Sequence, residues 1–123
     1  MTKKEFYDKW IETFAADIPE QDIQKYVKST GNLIWHIFSW ELLDEGRYFI
    51  GEKAKAAYDQ IDKEGAICIA WFEDEHTKDI VADLNIAAAL DDFVEIYVVG
   101  KNFEWTYIKT HESMCGPYFM SDK

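Results

Sequence analysis

Phe6, Trp10 and Phe14 recur at four-residue steps with Ile11 beside them, and Thr2 and Glu5 stand ahead of the run at capping-box spacing. This pattern predicts an amphipathic helix over residues 3–15. Pro19 suits the first turn of a second helix, over residues 19–29, with Ile23 and Val27 inward and Gly31 as its stop. Residues 33–38, Leu-Ile-Trp-His-Ile-Phe, are apolar on both alternating faces except at His36, the pattern of a strand buried on both sides. Tyr48-Phe49-Ile50 reads as a further short strand. Residues 52–63 place Ala54, Tyr58 and Ile61 on one helical face and stop near Gly65.

Residues 66–72, Ala-Ile-Cys-Ile-Ala-Trp-Phe, form a second continuous apolar run rich in strand formers. Within the segment that follows, Ile80, Val81, Leu84, Ala87, Ala88 and Leu90 supply an inward face, with a helix expected over residues 83–91 after a less regular stretch. Residues 95–99 and 103–109 flank Gly100-Lys101-Asn102, the composition of a hairpin connection. In the second arm Phe103, Trp105 and Tyr107 alternate with Glu104, Thr106 and Ile108, which predicts a half-exposed strand. No repeat, linker or low-complexity segment interrupts the chain. The expectation is one α+β domain over residues 1–123, with a mixed, largely antiparallel sheet of about four to five strands packed with three to four helices.

Composition supports such a core: 48% of the 123 residues are hydrophobic and 16% aromatic. Two cysteines, Cys68 and Cys115, are too few for a disulfide framework and lack Cys-x-x-Cys spacing, so reduced thiols in a cytoplasm are expected. No export signal and no apolar run of bilayer-spanning length is visible.

Charge changes the picture more. The chain carries 24 acidic against 13 basic residues, net −11, which disfavours nucleic-acid phosphates and anionic membranes and favours a basic protein partner. Residues 73–95 hold Glu73, Asp74, Glu75, Asp79, Asp83, Asp91, Asp92 and Glu95 against Lys78 alone, so 8 − 1 gives −7 of the −11. That segment is either a solvated face that keeps the chain dispersed or a partner-facing surface; in the second case Glu73, Asp74, Glu75, Asp79, Asp91 and Asp92 are the expected contacts.

Candidate chemistry rests on three histidines, His36, His76 and His111, whose spacing fits no metal-ligand motif. A metal site would need His111, Glu112 and Cys115 to converge with His36 or His76; no metal and no cofactor is expected. Cys68 lies in an apolar run where burial makes a thiol inert, and Cys115 has no assured base. Nucleophile-elbow, metalloprotease, phosphate-loop and dinucleotide motifs are absent. What remains is a pocket of Trp35, His36, Trp105, His111, Glu112 and Tyr118, set by the clustering of aromatics around the two histidine stretches.

Trp35-His36-Ile37-Phe38-Ser39, Thr110-His111-Glu112 with Gly116-Pro117-Tyr118-Phe119, and Gly51-Glu52-Lys53-Ala54 together resemble a small acidic bacterial domain family without an assigned function. The resemblance runs from Leu33 to Phe119 and is less distinct over the first two helices. It implies a cytoplasmic protein, some of whose relatives are similar to immunity proteins that neutralise toxins; it transfers no catalytic residue. Three functions stay open. The first is an acidic binding protein, in its sharpest form an immunity protein against a basic, nuclease-like toxin domain. The second is a small-molecule-binding or hydrolase-like enzyme around His36 and His111. The third is a regulatory or structural adaptor whose hairpin edge adds a strand or a second copy.

Overall fold

In a computed structural model, whose described residues are 1–112 and 114–121, helix α1 (Lys3–Phe14) begins on the expected capping box. Thr2 Oγ1 accepts from the Glu5 N–H (3.1 Å), and Glu5 Oε1 accepts from the Thr2 N–H (2.9 Å). Phe6, Trp10 and Phe14 are buried along one face of α1. Helix α2 (Glu20–Tyr26) starts after Pro19 and is shorter than expected, the chain passing through a tight 3₁₀ turn to a left-handed Gly31. Ile23 and Val27 are buried as their spacing implied.

Residues 33–38 are not a strand. Hydrogen bonds from His36 N–H to Leu33 O, Ile37 N–H to Ile34 O and Phe38 N–H to Trp35 O wind them into successive turns that lead into helix α3 (His36–Ser39). An unbroken apolar run has no period of its own, and here Ile34, Ile37 and Phe38, at helical spacing, are all buried. Gly31 (φ +89°) and Asn32 (φ +63°) redirect the chain just before the run, into turns rather than into the sheet.

The sheet comprises β1 (Tyr48–Ile50), β2 (Ile67–Ala70), β3 (Lys78–Asp79), β4 (Ile96–Val99), β5 (Trp105–Lys109) and β6 (Tyr118–Ser121). Their order is β1-β6-β5-β4-β2-β3 and every pair is antiparallel, with five α-helices among the described residues, where a mixed, largely antiparallel sheet of about four to five strands with three to four helices was expected. The two strands not anticipated are β3, two exposed polar residues, and β6, which follows a loop rich in turn formers.

Helices cover both faces. On one, α1, α2 and α3 pack with Ile69, Tyr97, Val99, Ile108, Tyr118 and Met120. On the other, α4 (Glu52–Gln60) and α5 (Ala87–Leu90) pack with Cys68, Ile96, Val98, Trp105, Tyr107 and Phe119. The expected half-exposed second arm is therefore buried on both sides: Trp105, Thr106, Tyr107 and Ile108 are all at or below 4% exposure. Thr106 is tolerated there because its hydroxyl accepts from Trp10 Nε1–H (2.9 Å) and donates to Val98 O (2.9 Å). That pair of bonds ties α1 to mid-sheet.

Two further boundaries moved. Strand β2 ends at Ala70, because Glu73 and Asp74 N–H both return to Ala70 O and Asp74 Oδ2 accepts from Ala70 N–H (2.9 Å), closing a turn. The helix expected over residues 83–91 is a 3₁₀ turn and then α5, separated by an extended Ile86. Asp59 on α4 caps α5 across the gap, its Oδ1 accepting from Ala87 N–H (2.7 Å).

Candidate functional site

The ladder fixes what meets at one end of the sheet. Ala70, the last residue of β2, pairs with Ile96, the first of β4, and Ile96 pairs with Lys109, the last of β5. Trp71 N–H extends the β2–β4 ladder by bonding to Glu95 O (3.0 Å). The chain after β2, the chain before β4 and the chain after β5 therefore leave the sheet side by side, carrying Phe72 to Glu75, Asp91 to Glu95 and Thr110 to Glu112 to a common end.

At the centre lies Glu95, 1% exposed. Its Oε2 accepts from the Tyr97 hydroxyl (2.7 Å) and its Oε1 lies 2.8 Å from His111 Nδ1. Burial and the adjacent carboxylate push the Tyr97 phenol well above its ordinary pKa, so its proton stays on oxygen and points at Glu95. The other ring nitrogen of His111, Nε2, sits 3.4 Å from the more exposed Glu112 Oε1. An imidazole with one nitrogen engaged by a buried carboxylate is held in orientation, the arrangement that also serves a general base.

Aromatic groups wall this pair. The Trp35 ring meets His111 edge-on at 5.5 Å and stacks on His36 at 4.0 Å, and Phe72 meets His111 edge-on at 5.8 Å. The Trp35 indole N–H is buried without a hydrogen-bond partner among the described residues. Burial holds the His36 pKa below its ordinary value, with Glu95 acting in the opposite direction and His111 adding to the depression. Phe72, beside the histidine, is 56% exposed, and Val94, which precedes Glu95 in the chain, is 57% exposed. Lys109 Nζ donates to Phe93 O (2.6 Å) and Val94 O (3.3 Å), fixing the segment that carries Val94.

Four of the six residues expected to share a pocket, Trp35, His36, His111 and Glu112, do come together. Trp105 does not: it packs on the opposite face against Tyr58 and Phe119, each 5.8 Å away. Strand alternation explains this, since Trp105 and Ile108 point to opposite faces and the histidine end is reached from the Ile108 side through α3. Tyr118 stacks on Phe38 (4.7 Å) beside Tyr48, in the groove along β1.

Of the expected acidic contacts, Glu73, Asp74, Glu75, Asp91 and Asp92 arrive at the histidine end from two separate stretches of chain. Asp79 does not; it lies on β3 opposite Ile67, at the start of β2 rather than its end. Asp74 is engaged with the backbone of Ala70 and with Lys78 (3.3 Å), and Asp91 lies 3.8 Å from Lys55. Glu73, Glu75 and Asp92 are exposed.

Glu95 and Tyr97 were missed as site residues. Glu95 was read as the start of a strand and counted with the acidic segment, although a carboxylate directly preceding four apolar strand residues is a position that the sheet buries. Among the described residues, no group of three or more His, Cys, Asp or Glu side chains could hold a metal ion. Burial pushes the Cys68 thiol up to about 11, while Cys115 is part-exposed. No helix among the described residues is long and apolar enough to cross a membrane.

This architecture, a six-stranded antiparallel sheet between two helical layers with a buried carboxylate paired to a partly exposed histidine at one end, defines an α+β domain. Residues 3–119 match the family described as Domain of unknown function (DUF4275), and the chain belongs to that family. The match includes both N-terminal helices, where the resemblance in the sequence was less distinct. No curated protein and no solved structure shows significant similarity to the chain.

Proposed function

We propose that the chain is a binding protein for a basic partner, and that its contact surface is the end of the sheet around His111. One observation carries the reading: exposed Phe72, 5.8 Å from the His111 ring, lies where acidic residues from two separate stretches of sequence are brought together. An apolar centre within a charged border is the anatomy of a specific interface, the apolar part slowing dissociation and the charges speeding encounter. In its sharper form, which the family resemblance favours, the partner is a basic toxin domain and the chain is its immunity protein. The test is to express the C-terminal domain encoded by the neighbouring gene in a tester bacterium, with and without this chain, and count survivors. Rescue is expected, along with loss of affinity for a variant combining Glu73→Lys, Asp92→Lys and Glu112→Lys. Toxicity without rescue removes the immunity form, and unchanged affinity of the triple variant removes the surface.

A second reading has its own observation, the Tyr97–Glu95–His111 chain of hydrogen bonds, which suits proton transfer at His111 Nε2 in a small-molecule or hydrolase-like site. It separates from the first by NMR titration of the imidazoles. A His111 titration that moves on Glu95→Gln and on addition of a small substrate supports it; indifference to both removes it.

A further inference from the structure

We propose that the chain self-associates through β1 into a two-fold dimer with one continuous sheet. Strand β1 pairs with β6 in the register Tyr48↔Met120, Phe49↔Phe119, Ile50↔Tyr118, and Gly51 N–H bonds inward to Pro117 O (2.9 Å). Alternation along an antiparallel ladder then turns the N–H and C=O of Phe49 into the sheet and those of Tyr48 and Ile50 away from it. No described residue pairs with that outer edge. Natural sheets blunt such edges with charge, proline or bulges. The opposite edge, β3, is Lys78–Asp79 and is charged and exposed; β1 is Tyr-Phe-Ile, with Phe49 51% and Ile50 54% exposed. An edge left apolar and unprotected is suited to being covered.

A second copy fits it by symmetry and by charge. Antiparallel pairing about a two-fold axis through Phe49 sets Tyr48 of one copy against Ile50 of the other, so the outward N–H and C=O groups of both residues are matched. It also sets Phe49 against its own copy at the closely spaced position, where aromatic pairs contribute most. The same rotation lays the Glu45 end of one strand over the Lys53 end of the other. Glu45 and Lys53 both line the groove of about 610 Å³ that runs along β1 over Phe38, Tyr48 and Tyr118. Among the described residues, neither is in an ion pair within its own chain, so each is available to the second copy.

The test is sedimentation equilibrium of the full chain across a wide concentration range. A reversible dimer is expected for the wild type. Ile50→Pro removes an N–H that the folded chain does not use, and should abolish the dimer while leaving the far-UV circular dichroism unchanged. Glu45→Lys or Lys53→Glu alone should weaken association about tenfold, since the two-fold repeats each reversed contact. Combining the two should restore most of it. A wild type that stays monomeric at all concentrations overturns the proposal. So does a dimer indifferent to Ile50→Pro, or one in which the double charge swap fails to recover.

Discussion

His111 Nδ1 and the Glu95 carboxylate lie 2.8 Å apart, with the carboxylate completely shielded from solvent and the imidazole about one-third exposed. The pair is the place where the interior of the sheet and its surface are electrically connected, because Tyr97 completes the shell of Glu95 from the buried side. A buried carboxylate with two directed partners is stable only while both are present; removing either leaves an oxygen that neither water nor protein satisfies.

Glu95→Gln retains the shape but presents an N–H₂ group to one of two donors. Loss of about 2 kcal/mol is expected, and of more than 3 kcal/mol for Glu95→Ala, which abandons both Tyr97 and His111. Tyr97→Phe removes one donor only and should cost about 1–2 kcal/mol. Urea unfolding at neutral pH measures all three, and equal stabilities across the series would mean that the Glu95 shell contributes nothing.

His36 gives a pH dependence with a definite sign. Burial depresses its folded-state pKa below the ordinary value of 6.5, so below that pH the unfolded chain binds a proton that the folded chain resists. Stability from this group is therefore intact above pH 6.5 and declines as pH falls from there toward the lower folded pKa. Comparing urea midpoints of wild type and His36→Gln at a pH above 6.5 and at one well below it should show a smaller acid loss in the variant. A larger loss in the variant would contradict the sign.

How much of this was legible follows from what kind of signal each element carries. Helix α1 was readable because cap and apolar stripe agree, and β4 and β5 were readable because two strand-like runs flank a turn. The run around Trp35 and His36 was misread as a strand because burial on all sides erases periodicity, and only the glycine and asparagine ahead of it hint at a turn. Strand β3 was invisible, since two polar residues become a strand only by pairing with β2. The same non-local pairing brings Phe72, Glu95 and His111 together. Residue type could nominate His111 and Glu112, but nothing short of the ladder register could supply Glu95 or exclude Trp105.

Gly100 is required by its neighbour rather than by its backbone angles. A Cβ there would lie 2.2 Å from Nε1 of Trp105, a buried indole, whereas a Cβ at Gly46 would meet nothing within 4 Å. Gly100→Ala should therefore cost about 2–4 kcal/mol through displacement of Trp105, and Gly46→Ala less than about 0.5 kcal/mol. Thermal unfolding compares them directly, and the tryptophan fluorescence of Gly100→Ala should shift as the indole moves. Equal melting temperatures would remove the steric account.

The two thiols should differ in reactivity. Cys68 is fully buried on the α4 side of the sheet and its thiol is raised to about 11, so little thiolate forms and none is reachable. Cys115 lies part-exposed in the loop before β6. A disulfide-exchange reagent at pH 8 should label one thiol quickly in the native protein and the second only in denaturant. Cys115→Ser should abolish the fast phase, and persistence of that phase would place Cys68 at the surface.

Thr106 tests how α1 is anchored. Its hydroxyl links the Trp10 indole to the β4 backbone, accepting on one side and donating on the other, at 0% exposure. Thr106→Val conserves the volume and the strand preference but leaves the Trp10 N–H and one lone pair of Val98 O without a partner in a dry interior. A loss of about 2–3 kcal/mol is expected. Trp10→Phe in the Thr106→Val background should cost less than Trp10→Phe in the wild type, because the indole N–H has already lost its partner. Additive costs in that double-mutant cycle would mean that the two side chains are not coupled through the hydroxyl.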